Sequence, residues 1–544
     1  MDWRPSSGLS VKVTISILPT QSQSIDLTRL CMESALAVPE ILDEILQLAT
    51  PSTQAAAART CQYWSDCSLR WLWRRMESFY PLLELLSPLV CIDGTWEFTS
   101  DLSASDWNRF SRYAARVYSM KFTPRLPYQS QRGSVASSQM LDGFTRHCPT
   151  PDSMFPNLTE VIWRAATMME LPPILLFLVP TVKSLRLTCG QSMNDECIDI
   201  LEVLGPRKVY LIEFELTMQT HDQAFLDRLP AILATQRKLT IVALPLCSAT
   251  PAIVAVLGQL PSLVEYVSSI SQEFQIPLEM GMEFDWHNGT FRSLERLTLC
   301  TSLADASSLV AKSHQLRLRH IALISRRPFS YEELLKFCSN LSASQSCLTV
   351  IDLALYPVIK SMQLLPFNLF RPLLQCTALV ELFVESRLAM AYGDEDIAAM
   401  ASSWPDLRVL RLCSSPAMDI GLDAGQPLRS VGTFAQSFSR LASLSIYINS
   451  LDVGLASDAQ TNIRHRRLTE INFGTSPEPP GSTEAASLYL AGITTIGGVI
   501  KGRRSLDYVR FLLSSGRNID ERRRRAAFWS DISVHVKKIH GSTT

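Results

Sequence analysis

A phosphate-binding loop, a zinc site or a hydrolytic triad would each leave a characteristic spacing of glycines, cysteines, histidines or serines. The stretch GGVIKGRRS, Gly497 to Ser505, comes nearest to the first, with two glycines at phosphate-loop spacing. Arg503 and Arg504, however, stand where a Lys followed by Ser or Thr would hold phosphate and magnesium. A turn between repeated elements is the better reading. The chain has 13 cysteines and 8 histidines, with no C-x-x-C or H-x-x-x-H pair among them. Ligand sets for a structural metal use such pairs, so no metal or other cofactor is expected. The G-x-S-x-G and H-E-x-x-H patterns are absent as well. His314 and His320 flank a predicted strand without an evident carboxylate partner. Triads assemble in space rather than along the chain, but nothing here points to one, and the chain is expected not to be an enzyme.

Charge and composition narrow the remaining classes. Lys plus Arg number 51 against 52 Asp plus Glu, a formal net charge of -1. Nucleic acid and anionic membrane both select a net basic surface, so neither is expected as the main ligand. The run Arg522 to Arg525 reads as a solvated helix face, a localisation signal or phosphate patch being the sharper alternative. The most apolar run, Leu171 to Pro180, is about half the length a membrane helix needs and is bounded by prolines. An odd number of scattered cysteines reads as reduced thiols used as small buried hydrophobes. The first residues lack the profile of a secretory leader. A cytoplasmic or nuclear protein is expected, in which the sequons at Asn157, Asn288 and Asn340 are chance matches.

At 544 residues the chain exceeds one compact core and must be several domains or a repeat array. Residues 1–31 combine a weak alternation (Val11, Val13, Ile15, Ile17) with a Ser/Gln-rich stretch, a flexible tail rather than a stray strand. Strong patterning begins after Met32. Pro39 suits the first turn of a helix, and Glu40 favours its positive end. Ile41, Leu42, Ile45, Leu46 and Leu48 follow at helical spacing. Pro51 stops that helix, and Ser52 or Thr53 caps a second through QAAAARTCQYW. A third is expected through CSLRWLWRRM. Three helices in about 40 residues rarely bury enough surface to stand alone. This unit nonetheless carries Tyr63, Trp64, Trp71 and Trp73, so part of its apolar surface should belong to a partner.

VPEILDEIL, ARTCQYWSD and LRWLWRRM, in this order from Leu36 to Met76, resemble the F-box. YPLLELLSPL, DWNRFSRYAARVYSMKF and FPNLTEVIWR resemble the run that follows it in a large group of fungal F-box proteins. One departure is that Pro39 and Glu40 are adjacent, where the common pattern separates them by one residue. The resemblance implies docking to the Skp-type adaptor of a cullin–RING (SCF-type) ubiquitin ligase and presentation of a substrate for degradation. It implies adaptor contacts from Val38, Pro39, Ile41, Leu42, Ile45, Leu46, Cys61, Trp64, Leu72 and Trp73. Pro39, Ile41 and Leu42 would be the exposed anchors, with Trp64 structural. A ligase-independent interaction scaffold is the alternative.

From Phe155 one phrase recurs: apolar, two others, apolar, one other, apolar. It starts at Leu158, Val182, Val209, Leu239, Leu294, Leu318, Leu348, Leu379, Leu407, Leu441 and Leu468. A degenerate copy begins at Leu263 and a weak one at Leu506. The phrase L-x-x-L-x-L leads into a short strand, and helix-like stretches such as NDECIDILEVL and YEELLKFCSN lie between copies. An α/β leucine-rich-repeat solenoid is therefore expected, a curved parallel sheet with outer helices. A doubly wound domain would not repeat one phrase so often. The expected layout is F-box and following helix over 32–90, helical linker over 91–150, irregular solenoid over 151–515 with a loop at Gly474 to Ala485, and a capping helix and tail over 516–544, with Phe528, Ile532, Val536 and Ile539 on one face. The target held by the repeats is not encoded in any motif.

Overall fold

The computed structural model describes residues 38–92, 95–123, 135–136, 154–190, 193–218, 223–245, 250–269, 291–312, 316–325, 327–355, 364–414, 416, 426–450, 468–474, 476, 483–494, 499–501, 528 and 531–539. The expected tail over 1–31, the weak copy at Leu506, most of the loop from Gly474 and the Arg522 to Arg525 run lie outside them.

Three helices open the described chain: α1 Pro39–Leu48, α2 Pro51–Ala57 and α3 Gln62–Leu72. Thr50 caps α2 by accepting the Thr53 N–H at 3.3 Å. The sequence pattern runs one helix through residues 54–64, but the chain breaks there. Arg59 and Thr60 turn back onto the Ala56 and Ala57 carbonyls, the Thr60 hydroxyl donates to Ala57 O as well, and Cys61 is extended (φ -154°, ψ 168°). The third helix thus starts earlier than expected and ends at Leu72, because Arg75–Met76 leaves it to become strand β1.

A hairpin of β2 (Leu89–Ile92) and β3 (Thr95–Phe98) follows, then a helix at Ala104–Ala114 and β4 (Ser119–Phe122), with β5 (Val135–Ala136) beside β3. The repeated strands come next: β6 Glu160–Ala165, β7 Ser184–Cys189, β8 Glu213–Met218, β9 Ile241–Pro245, β10 Glu265–Ser269, β11 Arg296–Cys300, β12 His320–Ser325 and β13 Val350–Leu355. The remainder are β14 Leu364–Pro366, β15 Glu381–Ser386, β16 Ala389–Ala391, β17 Val409–Leu412, β18 Gln426–Pro427, β19 Ser443–Ile446, β20 Ile448–Ser450, β21 Glu470–Asn472 and β22 Val499–Lys501. One 15-stranded sheet takes β1, β4 and β6 to β22 in chain order, omitting only the short β14, β16, β18 and β20. Its neighbouring strands pair in parallel. The molecule is thus an α/β array built on a long parallel sheet flanked by helices.

Residues 91–150, expected as a helical linker, contribute β4 to this sheet, and β1 carries the sheet back to Arg75. The phrase that launches each strand explains why. Val117, Met120 and Phe122 repeat the spacing of Leu158, Val161 and Trp163, and all six are buried. A second correction concerns register. The copy read from Val209 actually starts at Leu211, since Glu213 pairs with Ser184 and places Phe214, Leu216 and Met218 inward.

Backbone hydrogen bonding shows the repeat most directly. Two successive N–H groups before or at each strand share one carbonyl of the previous repeat: Thr159 and Glu160 on Tyr118 O, Lys183 and Ser184 on Thr159 O, and so on to Thr469 and Glu470 on Ala442 O. Along each strand alternate residues turn to the helix-covered face and are buried, as in the cross-strand row Ile321, Ile351, Leu382, Leu410 and Leu444. Each such side chain stabilises the stack by about 1.5–3 kcal/mol. Buried Gln236 and Gln345 accept the Leu211 and Leu318 N–H groups at 2.9 and 3.1 Å, satisfying backbone that the ladder leaves over. At the far end residues 531–539 are helical, and Ile532 and Val536 join the main core with Phe528 packed against it.

Candidate functional site

The three N-terminal helices have their own core, separate from that of the sheet: Leu42, Leu46, Ala57 and Cys67, flanked by Trp64 and Trp71. Burial raises the pKa of the Cys67 thiol. Polar contacts tie the unit together. Gln54 Nε2 donates to the Leu46 and Ala49 carbonyls at 2.7 and 3.2 Å, closing the end of α1. Trp71 Nε1 donates to Asp43 Oδ1 at 2.8 Å, and Arg70 reaches the same oxygen at 3.4 Å.

Because α1 turns Leu42 and Leu46 inward, its remaining apolar residues face out. Ile41 is 42% exposed, Ile45 47% and Leu48 85%, one stripe at i, i+4 and i+7. Val38 before the helix and Tyr63 on α3 are also exposed apolar residues of this unit. Leu42, expected as an exposed anchor, is fully buried, and Leu46 nearly so. One residue on from Ile41 and Ile45, they lie about 100° further round the helix, enough to turn them to the core. Pro39 is exposed in the first turn, and Cys61 is exposed at the start of α3. Trp64 is half-buried against the small core, and Leu72 is half-buried at the end of α3. Trp73 belongs elsewhere: its ring lies 4.9 Å from Tyr113 and packs on the sheet's core.

Arg74 couples the two parts, its guanidinium over the Trp71 ring at 4.8 Å and over Tyr118 at 4.4 Å. Arg116 adds an ion pair to Asp66 at 3.7 Å.

A second candidate surface is the sheet face opposite the repeat core. Several of its charges pair across strands, as Arg186 with Glu215 at 3.7 Å and Arg296 with Glu265 at 2.6 Å. Sequence reasoning did not single out the group spanning β13, β15 and β17. There Asp352, Phe383 and Arg411 sit side by side in register. Arg411 covers the Phe383 ring at 5.3 Å and approaches Glu385 Oε1 at 3.6 Å, an oxygen that also accepts the Ser414 hydroxyl at 3.0 Å. Burial pushes the Asp352 carboxyl up to about 6, with the Arg411 charge opposing the shift. Desolvation lowers the pKa of His320, on the same face of β12. No signal in the sequence marks this group, since outward strand positions carry no periodic constraint.

Among the described residues no group of three or more His, Cys, Asp or Glu is arranged to hold a metal. No described helix is long and apolar enough to cross a membrane.

No family model matches the sequence, and no curated protein does. Among solved structures the chain is similar to that of the Rad7 and Elc1 complex in yeast, with 13% identity and a TM-score of 0.35 over 81% of this chain and 97% of that one. It is also similar to that of the TLR13–ssRNA13 complex, with 13% identity and a TM-score of 0.28 over 68% of this chain and 56% of that one.

Proposed function

We propose that the chain is a substrate-recognition adaptor of a cullin–RING ubiquitin ligase, with no active site of its own. In this reading α1 to α3 form an F-box that binds a Skp-type adaptor, and the repeats hold the protein to be modified. One observation carries it: the outward stripe Ile41, Ile45 and Leu48 on a three-helix unit whose buried core is four residues. Exposed apolar surface on so small a unit is costly unless a partner covers it. The F-box resemblance of Leu36 to Met76 names the partner class, and the parallel repeat array supplies a broad surface for a target.

The test is co-expression of the full chain with a Skp-type adaptor, followed by affinity capture. Wild type should form a complex, and Ile41→Glu with Ile45→Glu should lose it, because both side chains are exposed and the fold tolerates charge there. A chain that captures no adaptor, or whose capture ignores both substitutions, sinks the ligase reading in favour of a ligase-independent scaffold. Leu42 is unsuitable as a probe, since a charge there would unfold the unit rather than report on docking.

A further inference from the structure

We infer that Asp352 and Phe383 form a subsite for a basic side chain, arginine or lysine, of the protein that the repeats bind. The inference rests on the target-binding role proposed for the repeats and adds the chemistry of the target.

Arg411 shows what this surface accommodates. Its guanidinium lies over Phe383 and beside Glu385, so an aromatic ring and a carboxylate together hold one cation. Asp352 lies on the other flank of the same ring, directly across from Phe383 in the ladder. It supplies a second carboxyl beside that residue, which feels the Arg411 charge across the sheet but makes no ion pair with it. Among the described residues nothing lies within ion-pairing or hydrogen-bonding distance of it. Its remaining neighbours on this face are apolar: Ala322 across on β12, and Val350 and Ala354 two positions away on β13. Ala322 and Ala354 are themselves buried, whereas Val350, Asp352 and Phe383 stay partly exposed, so an incoming side chain would approach from the Val350 side.

Charge complementarity selects the occupant. The ionisable residues facing out of β12 to β17 are His320, Asp352, Glu381, Glu385 and Arg411, three carboxyls against one guanidinium and one imidazole. An incoming carboxylate would meet repulsion here, and a neutral side chain would leave Asp352 desolvated and unpaired. An incoming cation corrects both. A guanidinium in addition matches the way Arg411 already lies against Phe383.

The experiment titrates the full chain into a fluorescein-labelled octa-arginine peptide at low salt, with octa-glutamate as control, and follows anisotropy. Wild type should bind octa-arginine and not octa-glutamate. Asp352→Asn, which keeps the shape and removes the charge, should weaken binding at least about five-fold, and Phe383→Leu should weaken it too. Glu395→Gln, an exposed carboxylate on the helix Asp394–Ser403, should stay within about two-fold of wild type. Equal affinities for wild type and Asp352→Asn overturn the inference, as does failure of wild type to bind octa-arginine. Thermal unfolding of each variant confirms that the fold is kept. Adaptor capture, measured on the same preparations, separates the two proposals. Peptide binding without capture leaves this inference standing and removes the ligase reading, whereas capture without peptide binding does the reverse.

Discussion

At the scale of single residues, neighbouring side chains on one helix have opposite duties. Leu42 and Leu46 make the core of the N-terminal unit, while Ile41 and Ile45 leave it bare on the outside. All four look alike in a sequence, because an apolar run of this density has no single hydrophobic phase, and only packing assigns the faces. Trp64→Ala should destabilise the unit by about 3 kcal/mol, the lower end for tryptophan truncation because the ring is only half-buried. Limited proteolysis should then cut within residues 38–72 while the sheet stays resistant. Asp352 makes a second prediction, with a sign fixed by its pKa. The carboxyl titrates at about 6 in the folded chain and near 3.8 in the unfolded one, so the folded state binds a proton the unfolded state has lost. That difference costs nothing below about pH 4, grows as pH rises toward 6, and is fully felt above it. Asp352→Asn should therefore raise Tm at pH 7.5 and leave it unchanged at pH 4, with a gain at neutral pH of no more than about 3 kcal/mol. An equal rise at both pH values would mean that packing, rather than desolvated charge, is responsible.

At the scale of elements, the strands were the most legible part of the chain and their outward faces the least. An apolar residue three positions before the first inward strand residue recurs because it seals each turn against the preceding repeat, so the phrase is under packing constraint throughout. That constraint reveals β6, β7, β9 and even the degenerate β10 from sequence. It also extends to β4, whose copy at Val117 was hidden among the residues carrying the family resemblance, and it corrects the copy at Val209 to Leu211 once the ladder fixes the register. The break between α2 and α3 was illegible for a different reason. Alanine-rich sequence favours continued helix, and only local hydrogen bonds around Thr60 and Cys61 override that preference. Gln345 tests how far an element depends on one such bond. Gln345→Leu should cost about 1–3 kcal/mol, because it strands the buried Leu318 N–H. Hydrogen exchange should accelerate at β12 and β13 first and leave β6 to β8 unchanged.

At the scale of the whole molecule, a parallel array has no closed edge. Each repeat buries its apolar face only against the next, so stability is a sum of neighbour terms and the ends are the weakest points. The two ends are finished differently. At the first, β1 is two residues long, and the Arg74 and Arg116 contacts tether the three-helix unit to it, which limits how far that unit can swing from the sheet. At the other, the helix over 531–539 places Ile532 and Val536 in the common core. Charging that contact is the direct test of its capping role. Ile532→Asp should destabilise the chain from that end, since a carboxylate cannot be buried there unpaired. Exchange protection should fall at β19 and β21 and recover progressively toward β11, while the adaptor capture proposed for α1 to α3, at the opposite end of the array, should not change. A loss spread evenly over the sheet would instead make the array one cooperative block. The sheet face around Asp352 would then be coupled to both ends, rather than to its own neighbours alone.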